Sequence, residues 1–158
     1  MKTLHIVLSL LFLCLLFIKD KTYIKHHHNQ TYNRKRINIA FNKQNLIKHI
    51  HNSNILYKDI TIKQSILETG NFKSNIFRKN NNLFGMKHPK QRKTLSLGSK
   101  NNFANYNHWI ESLKDFELWQ KDFIKRNKIK DSLEYINKLN QVYSENLQYI
   151  NILKRIKY

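Results

Sequence analysis

From Phe41 to the C-terminus, apolar residues return at helical spacing, and the pattern breaks only once, between Asn80 and Tyr106. Phe41, Leu46, Ile47, Ile50 and Ile55 can share one face of a helix or of two short ones. Asp59 suits the N-cap of a second helix. Ile60, Ile66 and Leu67 would form its buried side, and Gly70 would end it in a left-handed cap. After the break come Trp109, Leu113, Phe116 and Trp119 to Phe123, then Leu133, Ile136, Leu139 and Tyr143. Leu147, Ile150, Leu153 and Ile156 close the chain. The break holds Asn80-Asn81-Asn82, Gly85 and Pro89, all turn-formers or helix-breakers. Thr94 to Leu97 and Phe103 to Tyr106 could pair as a β-hairpin around a longer loop, Gly98 to Asn102. The expected fold is mainly α with one small β-hairpin.

Upstream, Leu4 to Ile18 is almost wholly apolar, flanked by Lys2 and by Lys19-Asp20-Lys21. That is the shape of a signal-peptide core or a short anchor, and no small-x-small cleavage site follows. An uncleaved membrane anchor over residues 1–18 is the expectation. Against export, the segment after the run is far more basic than the one before it. Residues 19–40 read as a basic linker. His26-His27-His28 lies there with no Cys or carboxylate cluster, so a solvated tract is expected and not a metal site. The one cysteine, Cys14, sits in the apolar run, so no disulfide can form within the chain. The remaining 41–158 is room for one domain.

The formal net charge is +19. An acidic partner is one explanation: nucleic acid, anionic lipid or cell-wall polymer. Compositional drift toward Lys, Asn and Ile is the other, and it supplies much of the charge. A nucleic-acid binder would need a recognisable motif or interleaved basic and aromatic residues. Neither is present, so no nucleic-acid partner is expected.

With ten acids among twenty-nine bases, each carboxylate is informative. Glu68 lies at the end of an apolar helix, in Gln64-Ser65-Ile66-Leu67-Glu68-Thr69-Gly70. Burial raises a carboxyl pKa, and the negative end of a helix dipole acts the same way. A carboxyl kept protonated near neutral pH suits a general acid that protonates a sugar leaving group. Taken alone, a Glu near a helix end is more often a surface residue.

Gln64 to Gly70, followed by Asn81-Asn82-Leu83-Phe84-Gly85-Met86-Lys87, resembles the signature of the glucosaminidase family of bacterial and phage cell-wall hydrolases, glycoside hydrolase family 73. Phe103-Ala104-Asn105-Tyr106, Trp109, Ser112 and Asp115 resemble the segment that follows the family's hairpin. Tyr135, Leu139, Tyr143, Tyr149 and Leu153 resemble its C-terminal helices. The resemblance spans Phe41 to Tyr158. It implies a lysozyme-like, mainly helical fold with a small β-hairpin lobe beside a groove. It implies hydrolysis of the β-1,4 bond after N-acetylglucosamine in peptidoglycan, at the cell envelope, without a cofactor or metal. Glu68 matches the family's catalytic acid and Tyr106 a tyrosine of the same site. Asn82, Phe84 and Gly85 match the groove floor, mainly in structural roles, with Phe84 also placed to stack on a sugar. Lys87 begins a basic run (Lys87, His88, Lys90, Arg92, Lys93) that would border the groove, either gripping peptide-stem carboxylates or simply solvated. A monomer is expected.

A standard glycosidase pairs two carboxylates. No Asp or Glu occurs between Glu68 and Glu111, so the expected hairpin carries none. The substrate's own 2-acetamido group could then act as nucleophile, or Glu111 or Asp115 could fold back to the groove. His88 and His108 match no motif and read as surface or packing residues. Trp109 and Trp119 are candidate sugar platforms, although Trp at helical spacing is more often core. The alternatives are a muramidase or lytic transglycosylase on a similar scaffold, or a glycan-binding protein without activity.

Overall fold

Asn42 starts the first helix. Its Oδ1 accepts from Asn45 N at 2.7 Å, which satisfies one of the open N–H groups of α1, Lys43–His51. The structure, a computed structural model, describes residues 38–143 and 148–158. The expectations for residues 1–37, for Leu147 and for the Tyr143 side chain lie outside the described residues. Within them, Ile39–Tyr158 forms one unit. Its elements run α1, α2 (Lys58–Glu68), α3 (Asn75–Asn80), β1 (Ser99–Lys100), β2 (Phe103–Ala104), α4 (Trp109–Asn127), α5 (Ser132–Tyr143) and α6 (Tyr149–Arg155). The fold is mainly α with one small antiparallel hairpin, as the periodicity anticipates. Among the described residues, no helix is long and apolar enough to cross a membrane.

Two local expectations for α2 are corrected. Its N-cap is Tyr57, not Asp59, which lies in the first turn and accepts the Tyr158 hydroxyl at 2.7 Å. Its buried residues are Thr61, Ile62, Gln64 and Ser65, while Ile60, Ile66 and Leu67 are only half-buried. A polar face can be buried because its groups are paired. Thr61 Oγ1 donates to Tyr57 O at 2.9 Å, Ser65 Oγ to Ile62 O at 2.7 Å, and Gln64 Nε2 to the Tyr149 hydroxyl at 3.3 Å.

The end of α2 is sharply turned. Gly70, Asn71 and Phe72 all have positive φ, at 54°, 55° and 65°. Glycine adopts this region without cost, whereas a bulky aromatic does so only when its surroundings fix it. Thr69 Oγ1 accepts from Phe72 N at 2.9 Å, and the Phe72 ring packs against Phe41 at 5.0 Å between centroids. The turn leaves Glu68 as the last helical residue.

The segment after α3 is organised by one amide. Asn82 Nδ2 donates to Met86 O and Ala104 O at 2.8 and 2.9 Å, and its Oδ1 accepts from Phe84 N and Met86 N at 3.3 and 3.1 Å. This closes the Asn-Leu-Phe-Gly-Met turn and ties it to β2. The hairpin is tighter than its expected loop. Ser99 pairs with Ala104 and Lys100 with Phe103, across Asn101 and Asn102 at φ 53° and 64°. Asparagine tolerates the left-handed pair that a two-residue turn demands. Leu97 N bonds Asn105 O, and Asn105 N bonds Gly98 O, continuing the pairing toward Leu97.

Helix α4 is central. Its Trp109, Leu113, Phe116 and Phe123 are buried, and Phe116 stacks on Phe84 at 3.9 Å. Each such side chain contributes about 1.5–3 kcal/mol when fully buried. In α5 the inward residues are Tyr135 and Leu139, while Leu133 is 66% exposed, against expectation. Tyr149 and Leu153 anchor α6.

Candidate active site

Glu68 is the last residue of α2, and its side chain is half-buried. Burial raises its pKa, and the Tyr149 hydroxyl partly opposes this by donating to Oε1 at 3.3 Å. Net, Glu68 holds its proton above the usual carboxylate range. Tyr149 in turn accepts from Gln64 Nε2, one helical turn before Glu68. Two residues of α2 and one of α6 therefore form a buried polar chain that ends at the carboxyl. Burial, then the Glu68 charge, push the Tyr149 phenol well up, so it stays protonated as a donor.

Gly85 lies against the same carboxyl. A Cβ there would sit 3.7 Å from Glu68 Oε2, and φ is +60°. Glu68 and Gly85 share a cleft of about 530 Å³ with Phe84, Met86, Lys87, Pro89, Arg92 and Trp119. Of the residues singled out by sequence, Glu68, Phe84, Gly85 and Lys87 thus come together. Asn82 and Tyr106 do not line the cleft. Asn82 is 1% exposed, and its amide is spent on backbone groups, so it holds the floor in place from beneath. Phe84 is also 1% exposed and stacks on Phe116. Its ring is therefore a floor and not a platform for sugar stacking.

Tyr106 is 2% exposed and donates to Asp115 Oδ2 at 2.8 Å. Asp115 also takes both Arg92 guanidinium nitrogens, at 2.9 and 3.0 Å, and Leu95 N at 3.1 Å. Burial pushes the Asp115 pKa up, but Arg92, Tyr106 and Thr94 outweigh it and hold the group ionised below its usual range. Burial and the Asp115 charge push the Tyr106 phenol far up. Asp115 is therefore saturated as an acceptor. Glu111 is 5% exposed and accepts from Asn107 N at 3.0 Å, closing the turn before α4. Neither acid lines the cleft, and among the described residues Glu68 is the one carboxylate that does.

The basic run divides. Lys87 is exposed at the cleft, whereas Arg92 is locked to Asp115 and fixes the loop that forms one wall. His88 contacts Ser96 Oγ, and His108 caps α4 while its Nε2 meets Ile39 O. The tryptophans divide too. Trp109 is core, packed edge-on against Phe41, whereas Trp119 is half-buried and lines the cleft. Sequence reasoning missed Tyr149 as the partner of Glu68 and Gln64 as the partner of Tyr149, since nothing local to these residues indicates the contacts.

Residues 43–158 match the family model described as Glucosaminidase, mannosyl-glycoprotein endo-beta-N-acetylglucosaminidase. No curated protein matches the sequence. Among solved structures, the catalytic domain of the autolysin Auto from Listeria monocytogenes is similar, at 21% identity, over 82% of this chain and 90% of that one, with a TM-score of 0.48.

Proposed function

Because the chain belongs to the glucosaminidase family and is thereby a glycoside hydrolase of the peptidoglycan-cleaving kind, we propose that it cuts the β-1,4 bond after N-acetylglucosamine, with Glu68 as general acid. The observation that carries this reading is the setting of Glu68. It is a carboxyl with a raised pKa, buried on one side by Gly85, gripped by Tyr149, and open on the other side to a cleft with a tryptophan wall.

In the proposed reaction the Glu68 proton passes to the bridging oxygen as the C1–O bond breaks. Among the described residues the cleft holds no second carboxylate, and in the proposed route the acetamido carbonyl oxygen of the cleaved sugar attacks C1 and closes a ring. Water then opens that ring and returns a proton to the Glu68 carboxylate. Asp115 and Glu111 take no direct part, being engaged in the wall and the turn. Tyr106 acts at a distance, through Asp115 and Arg92, and Tyr149 takes the place beside the acid.

The Gln64 amide supports both charge states of Glu68. Its Oε1 is buried with no hydrogen-bond partner among the described residues. When Glu68 is ionised, Tyr149 donates to it. When Glu68 carries the proton, a half-turn of the amide lets Oε1 accept from Tyr149 instead.

The test is digestion of purified peptidoglycan by the full chain and by Glu68→Gln, with mass spectrometry of the fragments. A new N-acetylglucosamine reducing end made by the wild type alone is the expected result. N-acetylmuramic acid ends, anhydro ends or an active Glu68→Gln enzyme would each overturn it. The apolar N-terminal run is proposed to hold the enzyme at the cell envelope, on the periplasmic or extracellular face.

A further inference from the structure

A second cleft of about 760 Å³ adjoins the first and shares Pro89, Arg92 and Trp119 with it. Its own residues include Lys90 from the wall loop, and Lys125 and Arg126 from the last turn of α4. Chain segments about 35 residues apart thus converge on one hollow. Asp122 is the carboxylate there, and Arg126 Nε is held on its backbone oxygen at 3.3 Å. The Arg92 charge is already cancelled by Asp115, so among the described lining residues the field of the second cleft comes from three cations, Lys90, Lys125 and Arg126, set against the single carboxylate of Asp122, and it is net positive.

A neutral sugar polymer gains little from three cations. A polymer that carries acids at regular intervals gains a great deal, because low-dielectric walls such as Trp119 and Pro89 reduce screening. A glycan lying over Glu68 and leaving past Trp119 runs directly into this hollow. We propose that the second cleft is a subsite for the carboxylates of the peptide branches that peptidoglycan carries on alternate sugars. The site makes the enzyme prefer glycan that still bears its peptides. This rests on the glycosidase reading above and extends it to substrate selection.

The charge of Lys125 and Arg126 also suits the C-terminal end of a helix, where the dipole favours cations. That role would give stability and no substrate preference, so the two are separable. The experiment compares two substrates, intact peptidoglycan and the same glycan stripped of its peptides by an amidase. Wild type and the triple variant Lys90→Gln, Lys125→Gln, Arg126→Gln are assayed as full chains, with folding checked by circular dichroism.

The expected wild-type KM is about five- to tenfold lower for the peptide-bearing glycan, in line with a few partly exposed charge pairs. The variant should lose that ratio, with kcat on either substrate little changed. Raising the salt from about 0.05 to 0.5 M should erase the wild-type preference as well. A wild type that cuts both substrates with equal KM, or a variant that keeps the preference, overturns the subsite and leaves the glycosidase reading standing. A preference that disappears when phosphate-bearing wall polymer is removed, with peptides intact, assigns the cations to phosphate and overturns it too. If wild type cuts neither glycan, the glycosidase reading fails and the subsite falls with it.

Discussion

The Tyr149 hydroxyl donates to Glu68 Oε1 at 3.3 Å, joining residues 81 positions apart. It places the first residue of α6 on the last residue of α2. An acid that must lose and regain a proton needs a partner that tolerates both states, and a phenol can donate or accept.

Replacing Tyr149 with Phe removes that partner and keeps the ring. The hydrogen bond favours the ionised carboxylate, so its loss raises the Glu68 pKa further. The alkaline limb of the kcat/KM profile should therefore move to higher pH. We expect kcat to fall about tenfold with KM little changed, since one hydrogen bond to a charged group contributes about 1.5–3 kcal/mol. A pH–rate profile decides: an unmoved limb would mean Tyr149 is only packing.

Glu68 itself links activity to pH and to stability. A general acid works while protonated, so kcat/KM should fall as pH rises through a pKa above the usual carboxylate range. The folded pKa is raised, so the associated stability is fully present below the unfolded pKa. It is lost as pH rises through the folded one. Glu68→Gln should accordingly be inactive yet melt higher than wild type near pH 8, the two curves converging in acid. Thermal melts followed by circular dichroism across pH measure this.

Gly85→Ala probes the floor. The new Cβ would lie at ordinary contact distance from Glu68 Oε2, 3.7 Å, so crowding is mild. The cost is conformational, because φ of +60° disfavours alanine by about 1 kcal/mol. Urea unfolding should show that loss. The added methyl also dries the carboxyl, which should move the alkaline limb of the kcat/KM profile to higher pH.

Asp115→Asn should be the most damaging substitution outside the cleft. It leaves Arg92, whose side chain is 14% exposed, without its counter-charge. Breaking a buried pair typically costs about 3–5 kcal/mol. The wild-type pair carries its own pH signature: the Asp115 pKa is lowered, so its stabilisation holds above the unfolded pKa and is lost as pH falls through the folded one. Tyr106→Phe removes one bond of the same cluster and should cost about 1–2 kcal/mol. Its kcat should stay within a few-fold of wild type. A kcat collapse in a stably folded Tyr106→Phe enzyme would place the phenol in the chemistry after all.

The helical frame was legible because Trp109, Leu113, Phe116 and Phe123 repeat on one face, and periodicity is a local signal. The hairpin was legible, but its turn came out shorter because two asparagines, not glycines, supply the left-handed pair. The buried side of α2 was misread for a physical reason. Pattern reading assumes apolar burial, and Gln64, Thr61 and Ser65 are buried by pairing. Glu68 was picked out by its place at a helix end only together with the resemblance of the segments around it to the glucosaminidase signature. Tyr149 could not be linked to it, nor Arg92 to Asp115, because such contacts join distant segments and leave no local trace.

The aromatic contact between Phe41 and Phe72 also determines where this enzyme can be cut or fused. Phe72 holds the left-handed turn that ends α2, and Phe41 braces it from outside α1. Ile39 O, two residues earlier, receives the Trp109 indole N–H at 3.1 Å. The family match begins only at residue 43. An expression fragment or chimaera trimmed to that boundary discards both braces, whereas one that starts at Ile39 keeps them.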